Sequence, residues 1–188
     1  MAVTFEEQLV EQCAPTLAGV KPASLFRYQG IRADEALCLA DRWRRELASR
    51  DLTLQVLKTC PRTGACMIFL YRADWLHHIL AKPSNRCFLE EQGYPAEADV
   101  SQLLHQLSLR FCLEGDYPHE IGLFLGYPLE DVVGFIANRG RNFTCCGYWK
   151  VYGDPAAARR RFAQYRRCTD VCRERFRKGA GILDLIPA

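Results

Sequence analysis

The sequence lacks most of the patterns that announce a function. Its ten cysteines include no CxxC pair, which excludes the zinc-ribbon and zinc-finger spacings. No Walker or dinucleotide fingerprint occurs, so no dedicated phosphate-cradling loop is written in the chain. No run of 18 uncharged apolar residues exists, and nothing reads as a helical membrane span. The stretch "MAVTFEEQLVEQC" is acidic and has no basic segment followed by an apolar one; a cytoplasmic protein without a signal peptide is expected. Repeats and low-complexity linkers are also missing. With a net charge of +3, the chain is neither an extreme polyanion binder nor a disordered polyampholyte.

What is present is a chain of 188 residues, about half of them apolar, long enough for a real core. One domain over 1–188 is expected, with 73–140 a candidate helical subdomain. The positive charge is uneven: residues 154–188 carry 9 Lys and Arg against 4 Asp and Glu. In a reducing compartment the thiols are expected to form no structural disulfides. Cys38, Cys66, Cys87 and Cys112 sit in apolar-periodic context and read as small core residues.

Periodicity gives the elements. Thr4 and Glu7 form a capping box that opens a first helix, expected to stop near Pro15. "ASLFRY" (23–28) reads as a strand. Apolar residues at 36, 37, 40, 43 and 47 place a helix within 32–50. "LTLQVLK" (52–58), the turn "CPRTG" and "ACMIFLY" (65–71) make a β-hairpin. Helices follow: "ADWLHHILA" up to Pro83, "SNRCFLEEQ" up to Gly93, one over about 97–114, and two short ones in 118–140. "GYWKVY" (147–152) is a further strand. A long basic helix covers 155–179, with Pro155 in its first turn and Gly179 at its stop. The fold class is α+β: a small antiparallel sheet of about four strands packed with helices.

The stretch "PHEIGLFLGYPLEDVVGFIANRG" (118–140) has helix-turn-helix spacing, with Gly122, Gly126 and Val132 at the diagnostic positions and Ile121, Leu125 and Phe135 as packing residues. Its second helix opens with Glu130 and Asp131, which suit a helix start but repel phosphate. The expected form is therefore an αα-corner joined by a tight turn at Gly126–Pro128, without a DNA-reading surface. Pro118 starts the first helix and puts His119 and Glu120 in its first turn, where an imidazole is disfavoured from protonating. Such an imidazole can be an acid/base group, a metal ligand or a hydrogen-bond donor to an anion, and a capping or interhelical hydrogen bond fits His119 equally.

In "GYWKVY", alternation puts Trp149 and Val151 on a core side and Tyr148, Lys150 and Tyr152 on the other. A lysine between two tyrosines can stack on a flat ligand while its ammonium meets an anion. The adjacent "ANRGRN" adds Asn138, Arg139, Arg141 and Asn142 in a glycine loop, a candidate anion nest. Cys168 and Cys172 share a face of the last helix. If that helix crosses the preceding strand, Cys146 and Cys168 become candidate metal ligands, although core packing reads better for Cys172. Phe162, Tyr165, Thr169, Cys172 and Phe176 form the apolar stripe of that helix. Its arginines, 159–161, 166 and 167 among them, read as a solvated face or as a contact for nucleic acid or an acidic partner. His77, His78 and His105 read as structural.

The strings "CAPTLAGVKPASLF" (13–26), "PHEIGLFLGYPLEDVVGFIANRG" and "GYWKVYGD" (147–154) resemble the signature blocks of the family called domain of unknown function 3793, in the same order and over nearly the whole chain. The resemblance implies a small cytoplasmic protein of anaerobic or gut bacteria, largely Firmicutes. It implies no activity.

The residues lead first to a small anionic ligand, aromatic or phosphorylated, bound by the 118–152 segment through His119, Glu120, Asn138, Arg139, Arg141, Asn142, Tyr148, Trp149 and Lys150, with Lys21 and Arg72 as contributors from elsewhere. If chemistry follows binding, His119 and Glu120 are the acid/base candidates and Lys150 the electrostatic stabiliser. A nucleic-acid or regulatory module built on the basic helix, and a cysteine-based metal or redox protein, stand as alternatives. No cofactor is indicated by the sequence, and neither is an oligomeric state.

Overall fold

The computed structural model describes residues 3–30, 32, 34–113 and 117–187, residues 112 and 113 by their backbone alone. The chain divides into two compact units, Met1–Trp75 with Arg167–Ala188, and Leu76–Arg166.

The first unit begins with α1 (Phe5–Leu17). The N–H of Glu7 donates to Thr4 Oγ1 at 3.1 Å and the N–H of Thr4 donates to the Glu7 carboxylate at 2.7 Å, the expected capping box. The helix does not stop at Pro15 but runs on to Leu17. A proline in the last turn removes only one backbone bond. Its carbonyl is in turn taken by the N–H groups of Val20 and Lys21 at 2.7 and 2.9 Å.

Strand β1 (Ala23–Tyr28), helix α2 (Glu35–Ala48) and the hairpin strands β2 (Leu52–Thr59) and β3 (Cys66–Arg72) follow. The sheet is antiparallel in the order β1-β3-β2, with Ala23 opposite Tyr71 and Leu52 opposite Arg72. A register shift between Val56 and Lys58 marks a bulge. Alternation along β2 and β3 turns Leu54, Ile68 and Leu70 inward, where they meet Phe5, Leu9 and Leu17 of α1 and Trp43 and Leu47 of α2 in one buried cluster. Cys66 is buried with them, as expected. Cys38 is exposed instead, because the buried face of α2 runs through 36, 40, 43 and 47 and misses it.

The second unit carries most of α3 (Ala73–Leu80), then α4 (Pro83–Glu91), α5 (Val100–Leu113), the single-turn α6 (Ile121–Phe124) and α7 (Leu129–Asn138). Pro83 opens α4 rather than merely ending α3, which uses its fixed φ and missing N–H at a helix start. Cys87 is exposed, not core, because α4 buries Asn85, Phe88 and Leu89. The expected burial of Cys112 falls outside the described side chains, and the expected end of α5 at 114 outside the described residues.

The fourth strand differs from expectation. Only Lys150–Val151 (β5) is extended, and it pairs with Cys145–Cys146 (β4) in a separate two-stranded ribbon instead of joining the larger sheet. Gly147 N donates to Trp149 O at 3.0 Å and closes the turn between them, so most of "GYWKVY" is a turn rather than a strand.

Helix α8 (Pro155–Arg177) starts at the expected proline, and Gly179 follows it with φ +96°. Residues 155–166 belong to the second unit and 167–177 to the first. In the first unit Cys172 joins the core, followed by Ile182, Leu185 and Ile186 from the 3-10 turn Ile182–Leu185 and the residue after it. The whole is α+β. No helix among the described residues is long and apolar enough to cross a membrane.

Candidate functional site

The 118–140 stretch forms two helices, and the turn between them lies at Gly126–Pro128. The N–H of Tyr127 donates to Gly122 O at 2.9 Å, and Gly126 has φ +79°. Pro128 is the N-cap of α7, and Asp131 in the first turn of α7 is buried at 3% exposure.

That carboxylate holds the ribbon. Trp149 Nε1 donates to Asp131 Oδ2 at 2.7 Å, and the N–H groups of Tyr152 and Gly153 donate to Oδ1 at 2.6 and 2.8 Å. A buried carboxylate with three donors is well satisfied. It fixes the Trp149 indole and both residues that follow β5. On the far side, Gly147 passes so close to α8 that a Cβ there would stand 2.3 Å from the Phe162 ring. The Trp149 ring lies between two others, stacked on Tyr127 at 4.7 Å and edge-on to Phe162 at 4.5 Å.

These restraints frame a cavity of about 350 Å³ inside the second unit. Its walls come from Tyr117 and His119 before α6, Gly122 and Leu125 in and after α6, Tyr127 in the turn, Asp131, Val132 and Phe135 on α7, and Cys146 to Lys150 on the ribbon. His119 packs edge-on to Phe135 at 4.9 Å. Burial holds the hydroxyls of Tyr117 and Tyr127 above the usual phenol range, so both remain neutral donors. The Lys150 ammonium donates to Gly140 O at 2.7 Å and lies 5.1 Å from the Phe143 ring centre and 5.7 Å from that of Phe135. No carboxylate pairs with it among the described residues.

Four of the residues expected to bind ligand therefore line one cavity: His119, Tyr148, Trp149 and Lys150. Trp149 and Lys150 both line it, although strand alternation puts them on opposite sides; the ribbon is too short to keep its two faces apart. Tyr152 is not in the wall, and its hydroxyl donates to Arg141 O at 2.8 Å.

The glycine loop departs from the anion nest. The N–H groups of Arg139, Gly140 and Arg141 donate to Ile136 O, Phe135 O and Asn138 O, closing off α7 with Arg139 and Gly140 at φ +49° and +69°. Asn138 Nδ2 donates to Gly134 O at 2.8 Å, and Asn142 Nδ2 reaches Asn138 Oδ1 at 3.4 Å. Arg139 and Arg141 are exposed, and none of these four side chains lines the cavity.

Glu120 also departs from its expected role beside His119. It is 3% exposed, Arg110 Nε lies 2.8 Å from its Oε1, and Tyr94 OH donates to the same oxygen at 2.9 Å. It ties α5 and the Tyr94 segment together and does not line the cavity. His119 lies in a turn ahead of a one-turn helix, so the premise of a long helix's first turn does not hold there.

Lys21 and Arg72 belong to the first unit. Arg72 donates from Nε to Thr16 O at 3.0 Å and from a terminal nitrogen to Leu17 O at 2.8 Å, capping the end of α1. Lys21 is buried, and burial brings its ammonium down to about 8; the neighbouring Cys13 thiol is pushed up to about 12, also by burial. Cys146 is a cavity residue of the second unit while Cys168 belongs to the first. No group of three or more His, Cys, Asp or Glu side chains able to hold a metal occurs among the described residues.

The residues that spacing did not single out for the site are Asp131, Tyr117, Tyr127 and Phe135. In the sequence the Asp131 carboxylate reads as a helix-start charge, and only the fold reveals the three donors it collects. Tyr117 and Tyr127 flank the two helices as aromatics before a proline, a signal too common to mark a wall.

A family model described as a protein of unknown function (DUF3793) matches residues 9–186 of the chain. No curated protein and no solved structure matches it.

Proposed function

Because the chain belongs to DUF3793, a family whose description assigns no activity, we propose its function from the cavity: it binds a small, flat, aromatic acid carrying a single negative charge. The observation that carries this reading is the Lys150 ammonium, half-buried at the wall of an aromatic cavity with only a neutral carbonyl as its hydrogen-bond acceptor among the described residues. A cation removed from water without a counter-charge is costly, and an anion entering the cavity relieves that cost. The rings of Tyr127, Phe135, Tyr148 and Trp149 offer faces and edges for a planar ligand. About 350 Å³ is the lower end of small-molecule sites, which favours a compact ligand. One wall cation favours a carboxylate over a phosphomonoester dianion, which would need a second. His119 and the tyrosine hydroxyls of the wall are further polar groups, able to serve a ligand as hydrogen-bond partners that set its orientation.

Titrating the protein with a panel of aromatic carboxylates, followed by quenching of tryptophan fluorescence and by calorimetry, tests the reading. At least one member is expected to bind with a 1:1 stoichiometry. Lys150→Met should weaken it by roughly tenfold to a hundredfold, the worth of one charge-assisted contact, while the melting temperature holds or rises. A panel that binds wild type and Lys150→Met equally would overturn the anion reading. Loss of the fold in Lys150→Met would make Lys150 a structural residue.

A further inference from the structure

The part of α8 that belongs to the first unit carries a second locus of chemistry, independent of the cavity. Cys168 and Cys172 stand one helical turn apart on the same face. Cys172 is buried in the core, and Cys168 is half-buried at its margin. Cys168 Sγ lies 3.7 Å from Ala14 O, and the two thiols hydrogen-bond each other. The hydrogen bond from Cys168, helped by the Arg175 charge, brings Cys172 down to about 7, and the same bond pushes Cys168 up.

Cys13 lies in the same core cluster, but burial pushes it up to about 12 and it keeps its proton. No third His, Cys, Asp or Glu side chain completes a metal-binding group among the described residues. The locus is therefore two sulfurs at the edge of an apolar core. Zinc asks for four ligands, and calcium or magnesium for a shell of oxygens. A soft monovalent ion is matched by thiolates alone.

We propose that Cys168 and Cys172 together hold one Cu(I) ion as a two-coordinate bis-thiolate. The ion forms two S–Cu bonds and displaces the Cys168 proton to solvent, together with the fraction still on Cys172. No electron is transferred. The bis-thiolate complex carries one negative charge, which the Arg175 guanidinium offsets. The core on one side and α1 on the other limit the approach of water and oxygen.

The test uses the full chain, reduced and kept anaerobic, titrated with Cu(I) against a chromogenic Cu(I) chelator. One ion per chain is expected to resist the chelator, and copper X-ray absorption should find two sulfur neighbours. Cys168→Ser and Cys172→Ser should each lower the affinity roughly a hundredfold, whereas Cys38→Ser, Cys87→Ser and Cys146→Ser, at exposed thiols, should leave it unchanged. Should the buried Cys172 variant fail to fold, Cys168→Ala at the half-buried position carries the comparison, with its melting temperature as the control. Retention of the ion by a folded Cys168→Ala protein, a third sulfur neighbour, displacement by Zn(II), or no ion held against the chelator would each overturn the proposal. None of these outcomes bears on the aromatic cavity.

Discussion

Lys21 places an ammonium at 7% exposure, and burial brings it down from 10.5 to about 8. A base held low in the folded state is protonated in the unfolded chain between the two values, so the unfolded chain binds more protons there and stability rises with pH. The cost of burying the charge is fully present below about 8, falls as pH rises from there, and is gone only above the unfolded value of 10.5. Cys13 works the other way, but only above its unfolded value of 9.0, where the unfolded chain loses a proton that the folded chain keeps. Between pH 8 and 9 the lysine acts largely alone of the two. Urea unfolding of wild type and Lys21→Met across that interval should show wild type gaining about 1 kcal/mol relative to the variant. Parallel pH profiles for the two proteins would mean that Lys21 titrates as an ordinary lysine. Lys21 also illustrates what residue identity conveys and what it does not. A lysine beside a proline in a short loop reads as a ligand contact; its burial under α1 depends on Pro15 accepting the N–H groups of Val20 and Lys21, which spacing cannot express. Lys150 was legible because an isolated cation among aromatic residues in six positions of sequence stays local in the fold.

Helix α7 has a glycine in its interior, at Gly134. In an exposed helix Gly→Ala adds about 1 kcal/mol of stability. Here a Cβ would stand 2.4 Å from Tyr152 Cγ and 2.6 Å from its Cβ, atoms too near the backbone to swing away. Tyr152 cannot retreat either, because its N–H is held by Asp131 and its hydroxyl by Arg141 O. Gly134→Ala should therefore reverse the usual sign and destabilise by about 1–3 kcal/mol, the range for overpacking. Calorimetric melting decides it, and a melting temperature at or above wild type would show that the ribbon yields freely. Elements whose period is carried by many residues were readable from the sequence: β1 was placed at its observed ends, the β2–β3 hairpin within a residue or two, and α8 from Pro155 onward. The 147–152 segment was not. Its alternation is real, with Trp149 and Val151 buried, but alternation over six residues says nothing about which strand lies alongside, and a two-residue ribbon closed by Gly147 satisfies it as well as a sheet does. The glycine loop failed for a related reason: positive φ at Arg139 and Gly140 serves to end α7 and uses the N–H groups that an anion would have needed.

On the scale of the whole molecule, the first unit is assembled from two separated stretches of chain, 1–75 and 167–188. Ile182, Leu185 and Ile186 fill its core beside Phe5 and Leu17, and Arg173 pairs with Glu11. Removing residues 179–188 strips three buried aliphatic side chains, each worth roughly 1.5–3 kcal/mol, a sum comparable with the stability of an ordinary domain. Hydrogen exchange of the truncated chain should show β1, β2 and β3 unprotected while the backbone of α7 stays protected. Retained protection across the sheet would mean that the 3-10 turn merely rests on a self-sufficient core. The same discontinuity has a consequence during translation. The β1–β3 sheet leaves the ribosome with part of its apolar covering still unmade. Roughly 100 to 115 further residues must be polymerised before α8 brings Cys172 and the three aliphatics that follow it. At about 5–20 residues per second that is an interval of about 5–20 s. Through it the nascent first unit remains a client for any chaperone that binds exposed apolar surface, while the second unit, continuous in sequence, is free to fold as it emerges.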